Sequence, residues 1–516
     1  MNLIENKNTF GENLKKFRNL SLSLDFHFTF KSLPASLSYT SMGKHSRYIS
    51  WFKDQSGSFF DDDKLEVRFT ETDGHGLWAK KAIKKGQILF RIPLESCLTG
   101  EHQDHHHQHD DDDEDEDQQG FDGEDSWMPL MIRLGIEILS GDGSRWSPYL
   151  DMLPDHFDTV RFWSEEERSS YLKGTSFYRN WLEREAIENH HHDQAISESF
   201  IPAIMAKMKM MKSTPAAANW DLKDWRNFYF RVGTIVSSYS FSLNQIKLDE
   251  DNDNDDGDEE EEVLEDEFEP VLIPMADLLN HRTGFNNARL FYENEKSLVM
   301  KAVSDISADS QVYNTYGDLG NSQLLQKYGF VDSPNPNNEL EIPLSIWPLV
   351  FPPSPPSSEA EFQERINFLL SSDILDDYLV VSLAEPESIL GPSILATCAI
   401  LGTSLFPTKE SFCATFMRGE SDVGTAAGGG GGSRKRRSDG SLSEREWSVL
   451  LEKWAADPRV LVSVKTLVAY LLGELRRVAG VSDGKDLSRA RSRIGNQIKR
   501  DEEEILESCM QALLEE

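Results

Sequence analysis

Pro274-Met275-Ala276-Asp277-Leu278-Leu279-Asn280-His281 is the stretch on which the reading of this chain turns. An apolar, strand-like run closes on an amide and an imidazole, and both groups need hydrogen-bond partners if they are buried. Two readings stand side by side. The pair is either satisfied inside the core, or it hydrogen-bonds a polar ligand such as an adenine ring.

Working outward, Val312-Tyr313-Asn314-Thr315-Tyr316-Gly317 follows downstream, and then Asn321-Ser322-Gln323-Leu324-Leu325-Gln326-Lys327-Tyr328-Gly329-Phe330-Val331. Two Tyr-Gly steps bracket a short helix with Asn321 near its start. One such step carries no information; two of them after Asp-x-x-Asn-His carry much more. Upstream lies Gly74-His75-Gly76-Leu77, where glycines permit a positive φ or a close approach of backbone to a ligand. Taken alone, that segment is only a turn.

Patterning divides the 516 residues into several lobes. Leu65, Val67 and Phe69 alternate as on a half-buried strand, Ile83 to Gly86 reads as a turn and Ile88 to Ile92 as a second strand. Trp127, Leu130, Met131, Leu134 and Ile138 fall at helical spacing. So do Trp225, Phe228, Tyr229, Val232, Ile235, Val236 and Tyr239, with Asp221 as their N-cap. Residues 126–245 are thus expected to be helical, and 270–332 β-rich, with short strands at Arg289–Tyr292, Leu298–Ala302 and Gln311–Asn314. Prolines from Pro334 to Pro356 mark an irregular connection. Helical patterns resume at Phe362, Ile366, Leu369 and Leu370, again from Leu461 to Leu475, and in a last helix over Arg489–Leu514. Residues 340–516 are therefore expected to be an all-helical domain with a disordered stretch at 420–442. Residues 1–63 read as a disordered leader, and 64–100 as the first part of the β-rich domain.

The net charge of −36 is unevenly placed. Asp110 to Asp117 supplies eight acids without a break and Asp249 to Glu269 fifteen more, which leaves about −13 for the rest. Such runs repel themselves and stay solvated, so 101–125 and 246–269 are read as disordered loops. No basic face is visible, which argues against nucleic-acid binding, and no stretch reaches the roughly 18 apolar residues of a membrane span. Cys97, Cys398, Cys413 and Cys509 lie far apart with no CxxC pair, so neither a disulfide framework nor a cysteine zinc site is expected. His105-His106-His107 is not read as a metal site. Arg434-Lys435-Arg436-Arg437, after the flexible run Gly428 to Gly432, suits a nuclear-import signal. A nuclear protein, with the cytoplasm as a second location, is expected.

In this order the three segments resemble those of SET-domain methyltransferases with a split SET domain, the group related to the Rubisco large-subunit lysine methyltransferase. The stretches most like the branch of SET-domain-containing protein 6, and of the fungal enzymes that methylate a ribosomal protein, include Phe157-Asp158-Thr159 with Phe162-Trp163-Ser164-Glu165-Glu166, Ser238-Tyr239-Ser240-Phe241, Asn286-Asn287-Ala288 and Asn314-Thr315-Tyr316-Gly317. The resemblance covers residues 64–332. It implies an α+β fold: a β-rich SET domain with a pseudoknot, interrupted by the helical insert, followed by an all-α substrate-binding domain.

The activity implied is S-adenosyl-L-methionine-dependent methylation of a protein lysine by a monomer without a metal. The substrate expected first is a large-subunit ribosomal protein and second a nuclear transcription or chromatin factor. Histidine methylation and an inactive binding scaffold are the other readings. By the resemblance, Gly74, His75, Tyr239, Asn280, His281, Tyr316 and Phe330 would hold the donor, with His75 acting through its backbone. Tyr316 would be the catalytic phenol. Tyr239, Phe241, Asp277, Asn314 and Tyr328 would line the lysine channel. Tyr239 departs from the Rubisco-type enzymes, which carry arginine there.

Overall fold

The computed structural model describes residues 41–100, 127–211, 216–243, 246, 269–352, 359–371, 378–403, 454–478 and 489–515. The acidic stretches at 101–125 and 247–268, the His105–His107 cluster, the segment 420–442 with its Arg434–Arg437 cluster, Cys413 and residues 1–40 lie outside these.

Helix α1 (Ser41–Lys53) opens the described chain and is followed by β1 (Phe59–Phe60). Residues 41–63 therefore depart from the disordered leader expected there. Tyr48 and Phe52, one helical turn apart, are fully buried and anchor α1 in the main core, and that burial offsets the entropy of ordering the helix.

Strands β2 (Leu65–Thr70), β3 (Gly74–Ala79) and β4 (Ile88–Pro93) follow. In β2 the alternation seen in the sequence buries Leu65 and Val67, but Phe69 faces outward. After the helical insert come β5 (Ser240–Ser242), β6 (Pro270–Leu272), the two-residue β7 (Asn280–His281), β8 (Ala288–Asn294), β9 (Ser297–Ala302) and β10 (Gln311–Asn314). One sheet runs β1-β4-β9-β8, and a second β2-β3-β10-β7. Within the second, β10 lies antiparallel to β3 (Gln311 opposite Trp78, Val312 opposite Leu77) and parallel to β7 (Tyr313 opposite Asn280, Asn314 opposite His281). Three distant segments meet along this one short strand.

The insert contains α2 (Met128–Ser140), α3 (Ser147–Leu150), α4 (Glu165–Tyr171), α5 (Ser176–Ala195), α6 (Ile201–Met210) and α7 (Leu222–Tyr239). Asp221 caps α7 by accepting the Asp224 N–H at 2.9 Å, and Ser164 with Glu167 forms a capping box on α4. The apolar stripes of α2 (Leu130, Met131, Leu134) and α7 (Trp225, Phe228, Val232, Ile235) join Phe90, Ile92 and Met300 of the sheets in one continuous core. The insert is thus packed into the sheets rather than appended to them.

Helix α8 (Asn321–Tyr328) follows β10. The C-terminal region then departs from the all-helical expectation. Strands β11 (Glu339–Pro343) and β12 (Tyr378–Ser382) pair antiparallel over five residue pairs, within a frame of α9 (Trp347–Val350), α10 (Glu359–Ser371), α11 (Pro392–Gly402), α12 (Pro458–Val478) and α13 (Arg489–Glu515). Part of the proline-rich stretch is therefore ordered. Pro343 ends β11 and Pro348 sits in the first turn of α9, where a missing N–H costs nothing. This region has its own core around Trp347, Leu369, Val464, Leu467, Leu471, Ile505 and Leu506.

A third cluster (Val160, Trp163, Leu172, Trp181, Leu325, Ile498) ties α13 to the insert and to α8. Arg491 reinforces that seam by reaching Asp158 at 3.1 Å and Glu167 at 2.7 Å. Cys97, Cys398 and Cys509 are buried and free. No described helix is long and apolar enough to cross a membrane.

Candidate active site

The strand pairing dictates the site. After β6 the chain turns through Met275, held at φ 74°, whose N–H donates to the buried Tyr48 hydroxyl at 2.6 Å. A single turn of 3-10 helix over Ala276–Leu278 then carries Asp277 inward, and the chain extends into β7. The strand-like run is therefore broken in the middle, and this break sends Asp277 and the Asn280–His281 pair to different partners.

Asn280 donates from Nδ2 to the His75 carbonyl at 3.2 Å. Among the described residues nothing donates to its Oδ1, which leaves an acceptor open. A Cβ on Gly76 would meet Asn280 Nδ2 at 2.9 Å and Gln311 Nε2 at 2.7 Å, so a side chain here would push the ends of both amides aside. Gly74, by contrast, has φ 68° and open space around it. The resemblance picked out Gly74 and passed over Gly76, although both stand in the same Gly-His-Gly. His75 turns its imidazole away from Asn280, onto His45 of α1 at 3.0 Å. Burial, and then the charges of His45 and Lys44, push its pKa down to about 4.

His281 accepts the Tyr316 N–H on Nδ1 at 3.1 Å, and its ring stacks on Tyr316 with centroids 5.2 Å apart. Phe330 lies 6.3 Å from the imidazole, and Tyr328 stacks on Tyr316 at 4.6 Å. The Tyr316 hydroxyl donates to the Leu279 carbonyl at 3.1 Å. Burial first, then Tyr239, Tyr328 and Asp277 nearby, hold its pKa far above the usual phenol value. It stays protonated, with lone pairs free to accept.

Asp277 completes the group. It is half-buried, Tyr149 donates to its Oδ2 at 2.7 Å, and its Oδ1, which is shielded from solvent, has no partner. Burial raises its pKa to about 7 against the opposing Tyr149 hydrogen bond. Tyr239 feels burial and then the same carboxylate, and is pushed up to about 12. Asp277, Tyr239 and Tyr328 thus gather around Tyr316. Asn314 is buried beside His281 in the parallel pairing, and Phe241 sits on β5 opposite Val271.

Sequence reasoning missed Tyr149, Tyr48, Gln311, Thr283 and Asp332. Asp332 accepts the Thr283 N–H at 2.8 Å, and Thr283 Oγ1 lies 3.4 Å from His281 Nε2. Among the described residues no cluster of three His, Cys, Asp or Glu could hold a metal.

The donor set suits a polar, partly cationic ligand bound along β7. It presents an open amide oxygen at Asn280, an imidazole flanked by two aromatic rings, Tyr316 and Phe330, and an orphaned carboxylate oxygen among tyrosines. Such an oxygen asks for a donor or a cation.

Known proteins resemble this chain. Residues 74–317 match the model of the SET domain. N-lysine methyltransferase setd6 of Xenopus laevis is 32% identical over 271 residues, 52% of each chain. The zebrafish (Danio rerio) protein of the same name is 33% identical over 296 residues, 57% of this chain and 58% of its own, and the human one 30% over 270 residues. The chain spans about half the length of these curated relatives. A crystal structure of the SET domain of LSMT bound to lysine and AdoHcy superposes with a TM-score of 0.53 at 18% identity over 92% of both chains. Rubisco LSMT bound to AdoMet gives 0.51 over the same share. These two establish likeness of fold.

Proposed function

We propose that this chain, whose residues 74–317 match the model of the SET domain, is an S-adenosyl-L-methionine-dependent protein-lysine N-methyltransferase. The observation that carries this reading is the orphaned Asp277 Oδ1 among Tyr239, Tyr316 and Tyr328, next to the open Asn280 amide and the His281 imidazole. One half of the site fits an amine and the other an adenosyl amino acid.

When bound, the donor supplies a methyl group on a positively charged sulfur. Asn280, His281 and Phe330 would hold it, with the His75 backbone alongside and Gly74 at the start of the same strand. Tyr316, fixed by Leu279, would place its oxygen where a polarised methyl C–H is accepted. Asp277, Phe241, Asn314, Tyr239 and Tyr328 would line the amine's channel.

The amine must be neutral to attack. A free lysine has a pKa near 10.4, so deprotonation near pH 7.4 costs about 4 kcal/mol. Burial shifts the two partners toward each other: Asp277 rises to about 7, and an ammonium brought into the same apolar surroundings is pushed down. Asp277 can therefore bind the arriving ammonium and take its proton at much smaller cost than an exposed carboxylate could. Alignment contributes more, because a nitrogen held about 3–3.5 Å from the methyl carbon has already lost the freedom that opposes reaction.

The proposed substrate is a basic protein, first a large-subunit ribosomal protein and second a nuclear transcription or chromatin factor. The net charge of −36 favours encounter with such partners, and Arg434–Arg437 supports nuclear access. Comparative methyl-proteomics of cells with and without the gene tests this. A lysine methylated only when the gene is present is the expected result; no change at any lysine would refute the reading.

A further inference from the structure

Asn321 stands at the start of α8, 1% exposed, and its amide is fully used. Nδ2 donates to the Asp332 carbonyl at 2.8 Å and to the Asp501 carboxylate at 2.7 Å. Oδ1 accepts the Asp332 N–H at 2.9 Å and the Asn335 amide at 3.2 Å. Its own backbone N–H goes to Asn338 Oδ1 at 2.9 Å. A side chain this completely bonded is held in one rotamer, and it transmits position.

The bonds continue in both directions. Asp332 accepts Thr283 N–H at 2.8 Å on one carboxylate oxygen and Ser333 N–H at 2.9 Å on the other. Thr283 Oγ1 lies 3.4 Å from His281 Nε2. Because Nδ1 of His281 accepts the Tyr316 N–H, the neutral ring carries its proton on Nε2, and Thr283 Oγ1 is the acceptor. At the other end Gln497 donates to the second oxygen of Asp501 at 2.8 Å. The neighbouring Glu502 accepts the N–H groups of Ser176 and Phe177, at 2.8 and 2.9 Å, at the start of α5. Helix α13 is therefore pinned on two sides at successive residues. It cannot slide to refill a vacated place at position 501.

We propose that Asp501 is a positioning residue for the donor site: acting through Asn321, Asp332 and Thr283, it fixes the ring plane of His281 from the Nε2 side. The C-terminal helix thereby sets donor affinity from outside the SET sheets. The inference rests on the proposed function insofar as His281 holds the donor. Removing the carboxylate leaves an Asn321 N–H without its acceptor inside the protein, and the amide must rotate to find another. Asp332, and then Thr283, move with it.

A helix anchor with no link to the site would lower thermal stability and leave His281 as it was. The experiment therefore reads His281 directly. The full chain and its Asp501→Ala, Asp501→Asn, Asn321→Ala and Asp501→Ala/Asn321→Ala variants are titrated calorimetrically with S-adenosyl-L-methionine. In parallel, 15N spectra of the His281 imidazole are recorded on the ligand-free proteins. Asp501→Ala is expected to bind about 10-fold more weakly and to show a shifted, broadened Nε2–H signal as its bond to Thr283 Oγ1 loosens, with Nδ1 still unprotonated. Asp501→Asn, which still offers an oxygen to Asn321, is expected to return to within about 3-fold of wild type, and the double variant to be no weaker than Asn321→Ala.

Unchanged affinity with unchanged His281 signals in Asp501→Ala would overturn the inference. So would an Asp501→Asn variant as weak as Asp501→Ala, or additive losses in the double variant. If Asp501→Ala does not fold, Asp501→Ser, too short to reach Asn321, carries the same expectations. A wild-type protein that bound no donor would count against the proposed function, while the imidazole spectra would still decide whether Asp501 governs His281.

Discussion

The backbone N–H of Tyr316 donates to Nδ1 of His281 at 3.1 Å, across 35 positions of chain. The parallel pairing of β7 with β10 makes this possible, because it sets Asn314 beside His281 and leaves Tyr316 two residues beyond. The bond fixes one imidazole tautomer, and the two rings stack. The residue proposed to hold the donor and the residue proposed to face its methyl group are thus one mechanical unit.

Tyr316→Phe keeps the stacking on His281 and Tyr328 and removes only the hydroxyl. Turnover is expected to fall by about 10²-fold or more, while donor affinity stays within about 2-fold. Single-turnover kinetics and calorimetry on the same preparation check both halves. Full activity in the variant would remove Tyr316 from the chemistry.

Asn280→Ala deletes the open amide oxygen and the bond to the His75 carbonyl. Donor affinity is expected to fall about 10-fold or more, the scale set by an unmet buried polar group. His281→Ala is expected to do at least as much, since it also removes the partner of the Tyr316 N–H. Wild-type dissociation constants in either variant would detach this pair from the donor.

Gly76→Ala places a methyl group 2.9 Å from Asn280 Nδ2 and 2.7 Å from Gln311 Nε2. Both amides must move, at a cost of about 1–3 kcal/mol in stability, and donor binding is expected to weaken along with the displaced Asn280. Gly74→Ala has room for its methyl group and is strained only by its φ of 68°. Its donor affinity is expected to be the less affected of the two. Equal affinities would show that the close approach at Gly76 does not matter to the site.

Asp277 bears on the pH dependence of stability. Its folded pKa, raised to about 7 by burial, lies above the unfolded value near 3.9. Between those values the native state keeps a proton that the unfolded chain has released, so this group's contribution falls as pH rises from about 4 to 7 and is flat above. Asp277→Asn never ionises. Its stability advantage over wild type is expected to be larger at pH 8 than at pH 5, with an upper bound on the order of 4 kcal/mol. Glu502 titrates in the same window but is present in both proteins and cancels. Urea denaturation at the two pH values measures the difference; an advantage independent of pH would mean that the carboxyl is not held neutral.

Much of the fold follows from local pattern. The stripe from Trp225 to Val236 and its Asp221 cap are helix α7, and the short helix begins at Asn321 as its spacing implies. What local pattern could not show was partnership at long range. Tyr149 and Asp277 are 128 residues apart and nothing in either segment points to the other. Helix α1 was hidden because its fully buried apolar side chains, Tyr48 and Phe52, are few and follow a Ser-rich stretch. Strands β11 and β12 were hidden by the prolines around them, although Pro343 stands at a strand end where it does no harm. Gly76 was in plain view, but its role depends on Asn280 and Gln311 arriving from other strands.

The most direct measurement of the central claim is transfer of a radiolabelled methyl group from S-adenosyl-L-methionine into an extract of cells lacking the gene, followed by amino-acid analysis of the labelled protein. Wild-type protein is expected to yield labelled methyl-lysine and Tyr316→Phe almost none. Label on histidine instead of lysine, or equal labelling by both proteins, would contradict the account.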